Sequence, residues 1–231
     1  ADSDDGKCYR LSGIRDRNGS RIELSYQQGR LKDVVDSVGR QITVDSDQNG
    51  RITALRVKNA ATRGQFVVFA RYGYDERGDL TSVTDAAGHS SRYAYDEKHR
   101  LITDENRTGL TFHFRYDNHG RCIESWGDYP GRADPGLADD VPKLLADNLT
   151  QARGVHHTRL HFHEDGYSEV VDSLQVKRYF GNEHGLVDKR VDGTAVTTSK
   201  YDDRGFLIGR TDGNGETIRF ERDQRGRIVK L

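Results

Sequence analysis

Two clusters in the 231-residue sequence have the residue types of metal ligands, and the first resembles half of an EF-hand loop. Asp45, Asp47 and Asn49 alternate along the chain, and Gly50 follows where a calcium loop makes its sharp turn. The twelfth position of such a loop would be Arg56, a cation in place of the bidentate glutamate. The same residues also fit an ordinary Asp-x-x-Gly turn, and we predict the turn.

The second cluster contains the histidines His156, His157, His161 and His163. His161 and His163 alternate on one face of a predicted strand, next to Glu164, and two imidazoles with a carboxylate could bind zinc. Alternation alone also places these side chains together on a solvated strand face, and no His-Glu-x-x-His spacing is present. We predict the solvated face.

Candidates for catalysis are weaker still. The adjacent carboxylates Asp139–Asp140 and Asp202–Asp203 fit a helix cap and a turn, whereas an acid–base pair needs two carboxyls in distinct environments of one pocket. The sequence has no phosphate loop, nucleophile elbow or dinucleotide fingerprint. It therefore predicts a protein that is not an enzyme, with no catalytic, cofactor-binding or metal-binding residues.

Cysteine usage indicates neither a disulfide scaffold nor a zinc ribbon, because Cys8 and Cys122 lie more than a hundred residues apart without any Cys-x-x-Cys. Cys122 takes a position that is aliphatic in similar segments elsewhere in the chain, so we expect a small buried apolar residue.

Charge and composition exclude two further classes. The chain has 36 Lys and Arg against 37 Asp and Glu, without the basic excess typical of nucleic-acid binding. No apolar stretch approaches the roughly 20 residues of a membrane span, and no signal peptide opens the chain.

Apolar content is low for a compact domain, which favours an architecture with little two-sided burial. Since methionine is absent, we expect this sequence to be a segment of a longer polypeptide.

The elements that would position these residues follow an internal repeat. Tyr74-Asp75, Tyr95-Asp96 and Tyr116-Asp117 are spaced by 21 residues, and Tyr201-Asp202 lies close to the same register. Glycines divide each period into steps of 10 and 11. Most of them follow an Asp or Asn by three positions, at Asp16, Asp36, Asp47, Asp75, Asp85, Asn106, Asp117, Asn182, Asp202, Asp212 and Asp223.

Asp-x-x-Gly predicts a turn, because the carboxylate accepts backbone N–H groups and glycine adopts the left-handed conformation that closes a type I turn with a bulge. Six or seven residues remain between turns, close to the usual strand length. They alternate as strands do: Phe112, Phe114 and Tyr116 share one face. We predict an all-β fold built as a long antiparallel meander.

One stretch interrupts the pattern. All three prolines, Pro130, Pro135 and Pro142, lie in residues 127–154, which we predict to be an insertion loop. Within it, Asp140 could cap a short helix over 140–149 with an apolar stripe. The predicted organisation is a disordered N-terminal stretch 1–8, repeats over 9–126, the insertion, and repeats over 155–231.

The segments from Tyr74-Asp75 to Leu80, from Tyr93 to Asp96 and from Tyr201-Asp202 to Leu207 resemble the YD repeat of Rhs proteins. So do the opening residues around Asn18-Gly19 and the run from Gly120 to Asp128. Departures are His99 in a turn-glycine position, Tyr26 followed by Gln27, and Phe220-Glu221 where Tyr-Asp is expected.

The resemblance implies that the chain is an arc of a hollow, cocoon-like β-sheet shell that encloses a C-terminal toxin domain of a bacterial polymorphic toxin. It implies as partners the rest of the same polypeptide, its toxin domain and a secretion apparatus, and as location a secreted or cell-surface effector. Asp134-Pro135-Gly136-Leu137 imperfectly resembles the family's self-cleavage element, yet it lies inside the repeat array. We predict a simple loop there.

Two alternatives stay open at this stage. A carbohydrate-binding or adhesive domain would expose the recurrent aromatic face, although cross-strand stacking also explains those rings. A metal-dependent hydrolase would need the histidine strand in a pocket. Unpaired edge strands could also make the isolated segment dimerise.

Overall fold

The computed structural model describes residues 9–58, 64–132 and 143–231, and every regular element in them is a β-strand. The predicted all-β class and the antiparallel meander are therefore confirmed. Nothing in the described ranges forms a helix of the length and hydropathy needed to cross a bilayer. The predicted N-terminal stretch 1–8 lies outside the described residues.

The chain divides into two compact units, Ala1–Thr108 and Gly109–Leu231. The first contains β1 (Gly13–Arg15), β2 (Arg21–Gln27), β3 (Arg30–Val35), β4 (Gln41–Ser46), β5 (Ile52–Lys58), β6 (Phe66–Tyr74), β7 (Leu80–Asp85), β8 (Ser90–Tyr95) and β9 (Leu101–Glu105). The second contains β10 (Thr111–Tyr116), β11 (Cys122–Asp128), β12 (Val155–Phe162), β13 (Tyr167–Val171), β14 (Val176–Gly181), β15 (Val187–Asp192), β16 (Ala195–Tyr201), β17 (Leu207–Thr211), β18 (Thr217–Arg219), β19 (Glu221–Arg222) and β20 (Ile228–Lys230).

Within each unit the strands pair antiparallel in chain order, β1 to β9 in the first and β10 to β18 in the second, while β19 and β20 form a separate hairpin. A register shift recurs just before the repeat tyrosine, at Tyr74, Tyr95, Tyr116 and Tyr201. Such a bulge increases the local twist and keeps each repeat in the same register as the last.

The turn glycines have the positive φ that the sequence predicts, for example +93° at Gly78 and +86° at Gly88. His99 takes the same left-handed conformation with φ of 60°. Its ring Nδ1 lies 2.7 Å from Asp79 Oδ1, a contact that glycine could not make.

Few side chains are fully buried, as expected for a sheet with little covering. Among the described residues the buried apolar side chains are Val44, Ala54, Leu145 and Val171. Leu145, at 1% exposure, belongs to the predicted insertion.

The predicted helix over 140–149 is wrong in its described part, residues 143–149, which form a β-bridge and turns. Leu144 bridges to Gln151, and the Leu145 amide donates to the Thr150 carbonyl at 2.8 Å. Asp147 accepts hydrogen bonds from the amides of Leu149 and Thr150, which stabilises a turn in competition with a helix.

Candidate functional site

The Asp-x-x-Gly turn is the most frequently repeated polar structure in the chain. In the Asp96 turn, where His99 takes the glycine position, Oδ1 accepts the amide N–H groups of Lys98 at 2.8 Å and Arg100 at 3.0 Å, and Oδ2 accepts Arg100 Nε at 2.7 Å. These hydrogen bonds, led by the one from the Arg100 side chain, lower the pKa of Asp96 from 3.8 to about 2. One carboxylate thus connects both ends of the turn.

The same arginine staple, an Arg directly after the turn glycine that donates Nε to the Asp four residues earlier, recurs along the chain. It is present at Asp36–Arg40, Asp47–Arg51, Asp117–Arg121 and Asp223–Arg227. Hydrogen bonds from Arg40 lower the pKa of Asp36. At Asp47, desolvation acts to raise the pKa, but the hydrogen bonds from Arg51 outweigh it and the pKa is lowered.

A second repeated bond connects neighbouring repeats through the tyrosine of the Tyr-Asp pair. Tyr74 Oη donates to the Ile52 carbonyl at 2.8 Å, and Tyr201 Oη donates to the Val187 carbonyl at the same distance. Ile52 and Val187 both stand two residues after a turn glycine. Each tyrosine therefore fixes its strand to the preceding repeat.

The last repeat makes this bond with a different side chain. Arg222 Nε donates to the Leu207 carbonyl at 3.1 Å, and Leu207 is again two residues after a turn glycine. Asp223 is the turn aspartate, since it accepts the amides of Arg225 and Arg227. The expectation that Phe220-Glu221 replaces Tyr-Asp was therefore out of register by two residues.

One polar cluster in the second unit has no counterpart in the repeat. Glu124 on β11, with 7% of its side chain exposed, accepts His157 Nε2 at 2.9 Å and Arg115 Nη1 at 2.8 Å. Arg153 Nη2 lies 3.6 Å from the same carboxylate. We name these four residues, Glu124, His157, Arg115 and Arg153, the Glu124 cluster.

The Glu124 carboxylate stays ionised in this cluster. Desolvation alone would raise its pKa, but the hydrogen bonds from His157 and Arg115 and the Arg153 charge outweigh that effect and lower the pKa. His157 is 2% exposed, and its Nδ1 has no hydrogen-bond partner within the described ranges. An unpaired nitrogen in a buried ring is costly, so the Glu124 contact must offset it.

Aromatic rings and a close backbone approach surround the Glu124 cluster. Trp126 contacts the His157 ring edge-on at 6.4 Å, and Arg153 lies over the indole at 4.6 Å. At Gly154, with φ of 54°, a Cβ would lie 2.0 Å from the Gly127 carbonyl oxygen. Glycine is required there for the chain to return from the insertion onto β11.

The Glu124 cluster connects β10, β11 and β12 at the point where the insertion rejoins the sheet. Its buried carboxylate is occupied by the His157 ring and by two arginines that are 60% and 45% exposed, so the group is a partly exposed ion-pair cluster. We assign it a positioning role: it fixes where the chain resumes the repeat after residue 154.

The calcium-like segment has the geometry of an ordinary turn. Asp47 uses Oδ1 for the amides of Asn49 and Arg51 and Oδ2 for Arg51 Nε, and Asp45 pairs with Arg56 at 2.5 Å. Across the described residues, no group of three or more His, Cys, Asp or Glu is placed to hold a metal ion.

The four histidines do not converge. His157 points to Glu124, while His156, at φ of 53°, stacks on Phe112 with ring centroids 6.3 Å apart. His161 on β12 and His163, directly after the end of this strand, do lie side by side, with ring centroids 6.3 Å apart. His163 in turn stacks on a tyrosine, Tyr167, at 4.1 Å.

Other candidate residues have structural positions or lie outside the described part. Asp202 accepts the amides of Arg204 and Phe206 in a repeat turn, as predicted. Cys122 is half-buried in β11, in the position where other repeats carry aliphatic residues. The segments Asp134–Leu137 and Asp139–Asp140 lie outside the described residues.

Sequence analysis missed two features of these sites. The arginine staple could have been predicted from the sequence pattern Asp-x-x-Gly-Arg, as at Asp117 to Arg121. No sequence pattern predicts the Glu124–His157 contact, because its partners lie 33 positions apart with the insertion between them.

Comparison with known proteins identifies the repeat. The family model described as RHS Repeat matches residues 74–108 and 201–231. The chain contains RHS repeats. Both matches include a Tyr-Asp pair, its Asp-x-x-Gly turn and the strand that follows.

Among solved structures, the chain is similar to TcdB2-TccC3 without its hypervariable C-terminal region, with 15% identity and a TM-score of 0.45 over 89% of this chain. It is similar to the Photorhabdus luminescens Tc holotoxin pore, with 14% identity and a TM-score of 0.44 over 91% of this chain. The chain spans 10% of the length of each of these. No curated protein matches it.

Proposed function

We propose that this chain is a non-catalytic wall segment of an RHS-repeat toxin, in which the sheet forms part of a shell around a C-terminal toxin domain. The observation that carries the proposal is the pair of repeated bonds, the aspartate turn and the tyrosine-to-carbonyl bond. Both are local or join neighbouring repeats, so strands add side by side without a central core.

The small number of buried apolar side chains favours a sheet wall over the packed core of a compact enzyme. The four buried apolar side chains of the described residues are spread over both units, and the polar residues that are buried are engaged in the sheet, such as Glu124 with its neighbours. A sheet that faces polar surroundings on both sides needs little apolar cover.

The adhesive alternative receives less support. Tyr72, Tyr93 and Phe114 of the recurrent aromatic face are each half-buried within the sheet. Rings that capture sugars are expected to offer an open face, and these three are partly covered. Under the proposal, the partners are the rest of the polypeptide, the toxin domain and a secretion apparatus, and the location is outside the producing bacterium.

Limited proteolysis of the native polypeptide that carries this sequence tests the proposal. We expect the portion following Leu231 to resist protease in the wild type and to be digested when two wall turns are broken by Asp96→Ala with Asp117→Ala. The control is Asp203→Ala, at an exposed turn position. Equal digestion in all three proteins would contradict the proposal, as would a native polypeptide that ends at Leu231.

A further inference from the structure

One depression on the second unit is lined by two arginines whose side chains have no hydrogen-bond or ion-pair partner in the part of the chain that the structure describes. It has a volume of about 260 Å³ and lies over β14 to β17. Its lining includes Arg190 and Arg210, the hydroxyl residues Thr197 and Ser199, and the rings of two tyrosines. Among the residues that the structure describes, no Asp or Glu lines it. We name this depression the arginine pocket.

Strand register explains why these side chains converge. Arg190 on β15 lies directly opposite Thr197 on β16, and Ser199 on β16 lies directly opposite Arg210 on β17. Residues two apart on one strand face the same side, so all four side chains project from one face. The two arginines are two strand spacings apart and offset by two residues along the strands, about 12 Å in all, and flank the central hydroxyls.

The arginines of this pocket differ from most others in the chain. Arg40, Arg51 and Arg121 each donate to a turn aspartate. Within the described ranges, the side chains of Arg190 and Arg210 have neither a hydrogen bond nor an ion pair, and Arg190 Nε is buried without a partner. A buried guanidinium donor left unpaired is costly, and an anionic ligand would satisfy it.

Comparison among the repeats shows that the pocket is a local departure. Three positions after the aliphatic slot, the first unit has Val34, Leu55, Val83 and, in one repeat, Asp104, whereas Arg190 and Arg210 take this position here. Ser199, two residues before Tyr201, occupies the slot that Tyr72 fills before Tyr74. Basic residues and a smaller residue therefore stand where most repeats of the first unit have apolar and aromatic ones.

The remaining lining is apolar or aromatic except for Lys189, whose Nζ lies over the Phe180 ring at 4.8 Å. The pocket includes Val187 and Leu207 together with the rings of Tyr179 and Tyr201. Guanidinium groups hold phosphate or carboxylate oxygens through paired N–H donors, and tyrosine rings stack on flat apolar groups.

From this geometry we propose that the arginine pocket binds an oxyanion, phosphate or carboxylate, carried on an aromatic or similarly flat body. Arg190 and Arg210 hold the oxyanion, Thr197 and Ser199 donate hydroxyl hydrogen bonds, and the tyrosine rings contact the body. This inference is independent of the shell proposal, because it concerns one face of β14 to β17 alone.

Titration of the 231-residue chain, followed by amide NMR shifts and calorimetry, tests the proposal with phenyl phosphate, benzoate and inorganic phosphate. We expect saturable binding of phenyl phosphate or benzoate, with shifts centred on Thr197 and Ser199. Whichever of the two binds more tightly identifies the oxyanion. Inorganic phosphate should bind more weakly than the aromatic probe, since it lacks the flat body.

Three variants make the test specific. Arg190→Gln should weaken binding about tenfold or more, as expected for loss of a charge-assisted hydrogen bond. Ser199→Tyr places the residue of other repeats in the pocket and should block binding by filling it. Arg107→Gln, at an exposed turn, should bind like the wild type.

Absence of saturable binding by both aromatic probes would overturn the proposal, as would inorganic phosphate binding as tightly as phenyl phosphate. Unchanged affinity in well-folded Arg190→Gln and Ser199→Tyr proteins would also overturn it. If Arg190→Gln does not fold, Arg190→Lys keeps the charge but loses the paired donors, and it should still weaken binding.

Discussion

Arg222 donates Nε to the carbonyl oxygen of Leu207 at 3.1 Å and thereby replaces a tyrosine hydroxyl of the preceding repeats. The guanidinium also reaches the Gly226 carbonyl at 2.8 Å, so it closes its own turn while binding the strand before it. The repeat thus conserves a hydrogen bond to one backbone oxygen, and two chemically different side chains supply it.

We predict that Arg222→Tyr keeps the β19–β20 hairpin, because a tyrosine hydroxyl makes this bond at Tyr74 and Tyr201. Arg222→Ala removes the hydrogen bonds to the Leu207 and Gly226 carbonyls and should lower the stability of the hairpin by about 2 kcal/mol, since a hydrogen bond has a net value of about 1 kcal/mol. Hydrogen exchange of residues 221–230 measures both. Faster exchange in the tyrosine variant than in the alanine variant would contradict this explanation.

Removing the charge at the centre of the Glu124 cluster should be destabilising. Glu124→Gln weakens the ion pairs with Arg115 and Arg153, and because these arginine side chains are 60% and 45% exposed, we expect the free energy of unfolding to fall by about 1 kcal/mol. Urea unfolding at pH 7 measures the change. Glu183→Gln, whose side chain is 87% exposed, is the control and should unfold at the wild-type urea concentration.

Acid should weaken the aspartate turns. The pKa of Asp96 is about 2 in the folded chain against an ordinary 3.8, so its stabilising effect is complete above about pH 4 and lost as the pH falls toward 2. Carboxyl NMR titration should find this low pKa in the wild type. In Arg100→Gln it should rise toward 3.8, because the Arg100 side chain is the largest cause of the shift. An unchanged pKa in that variant would contradict the assigned cause.

Variants of His99 distinguish the contribution of its ring contact from the cost of its left-handed backbone conformation. His99→Ala retains a side chain at φ of 60° and loses the ring contact with Asp79, whereas His99→Gly loses the contact but relieves the backbone strain. We expect the glycine variant to be more stable than the alanine variant by about 1 kcal/mol. Thermal unfolding of both proteins provides the comparison, and a more stable alanine variant would refute the strain argument.

Local rules predict much of this fold because most of its bonds are local. The turn at Asp117 to Gly120, its flanking strands and the shared face of Phe112 and Phe114 all follow from residues within one repeat. Period-two alternation and turn chemistry suffice for such elements.

Contacts outside the repeat are the ones that sequence reasoning missed. Leu145 appeared to belong to a helical stripe, but its amide pairs with Thr150 and the amide of Ala146 donates to the Asp172 carbonyl at 2.8 Å. Tertiary contacts of this kind override local helix preference. The Glu124–His157 contact likewise depends on how the chain returns after the insertion, which spacing alone does not specify.

The arginine staple has a consequence for how such a chain can change in length. The Asp and the Arg of one turn lie within five residues and hydrogen-bond to each other. The bonds that close a hairpin turn therefore all come from the turn itself, wherever the hairpin is placed. Duplication or deletion of a whole 21-residue period would leave every remaining turn chemically complete, so this architecture can grow or shrink by entire modules without redesign of its neighbours.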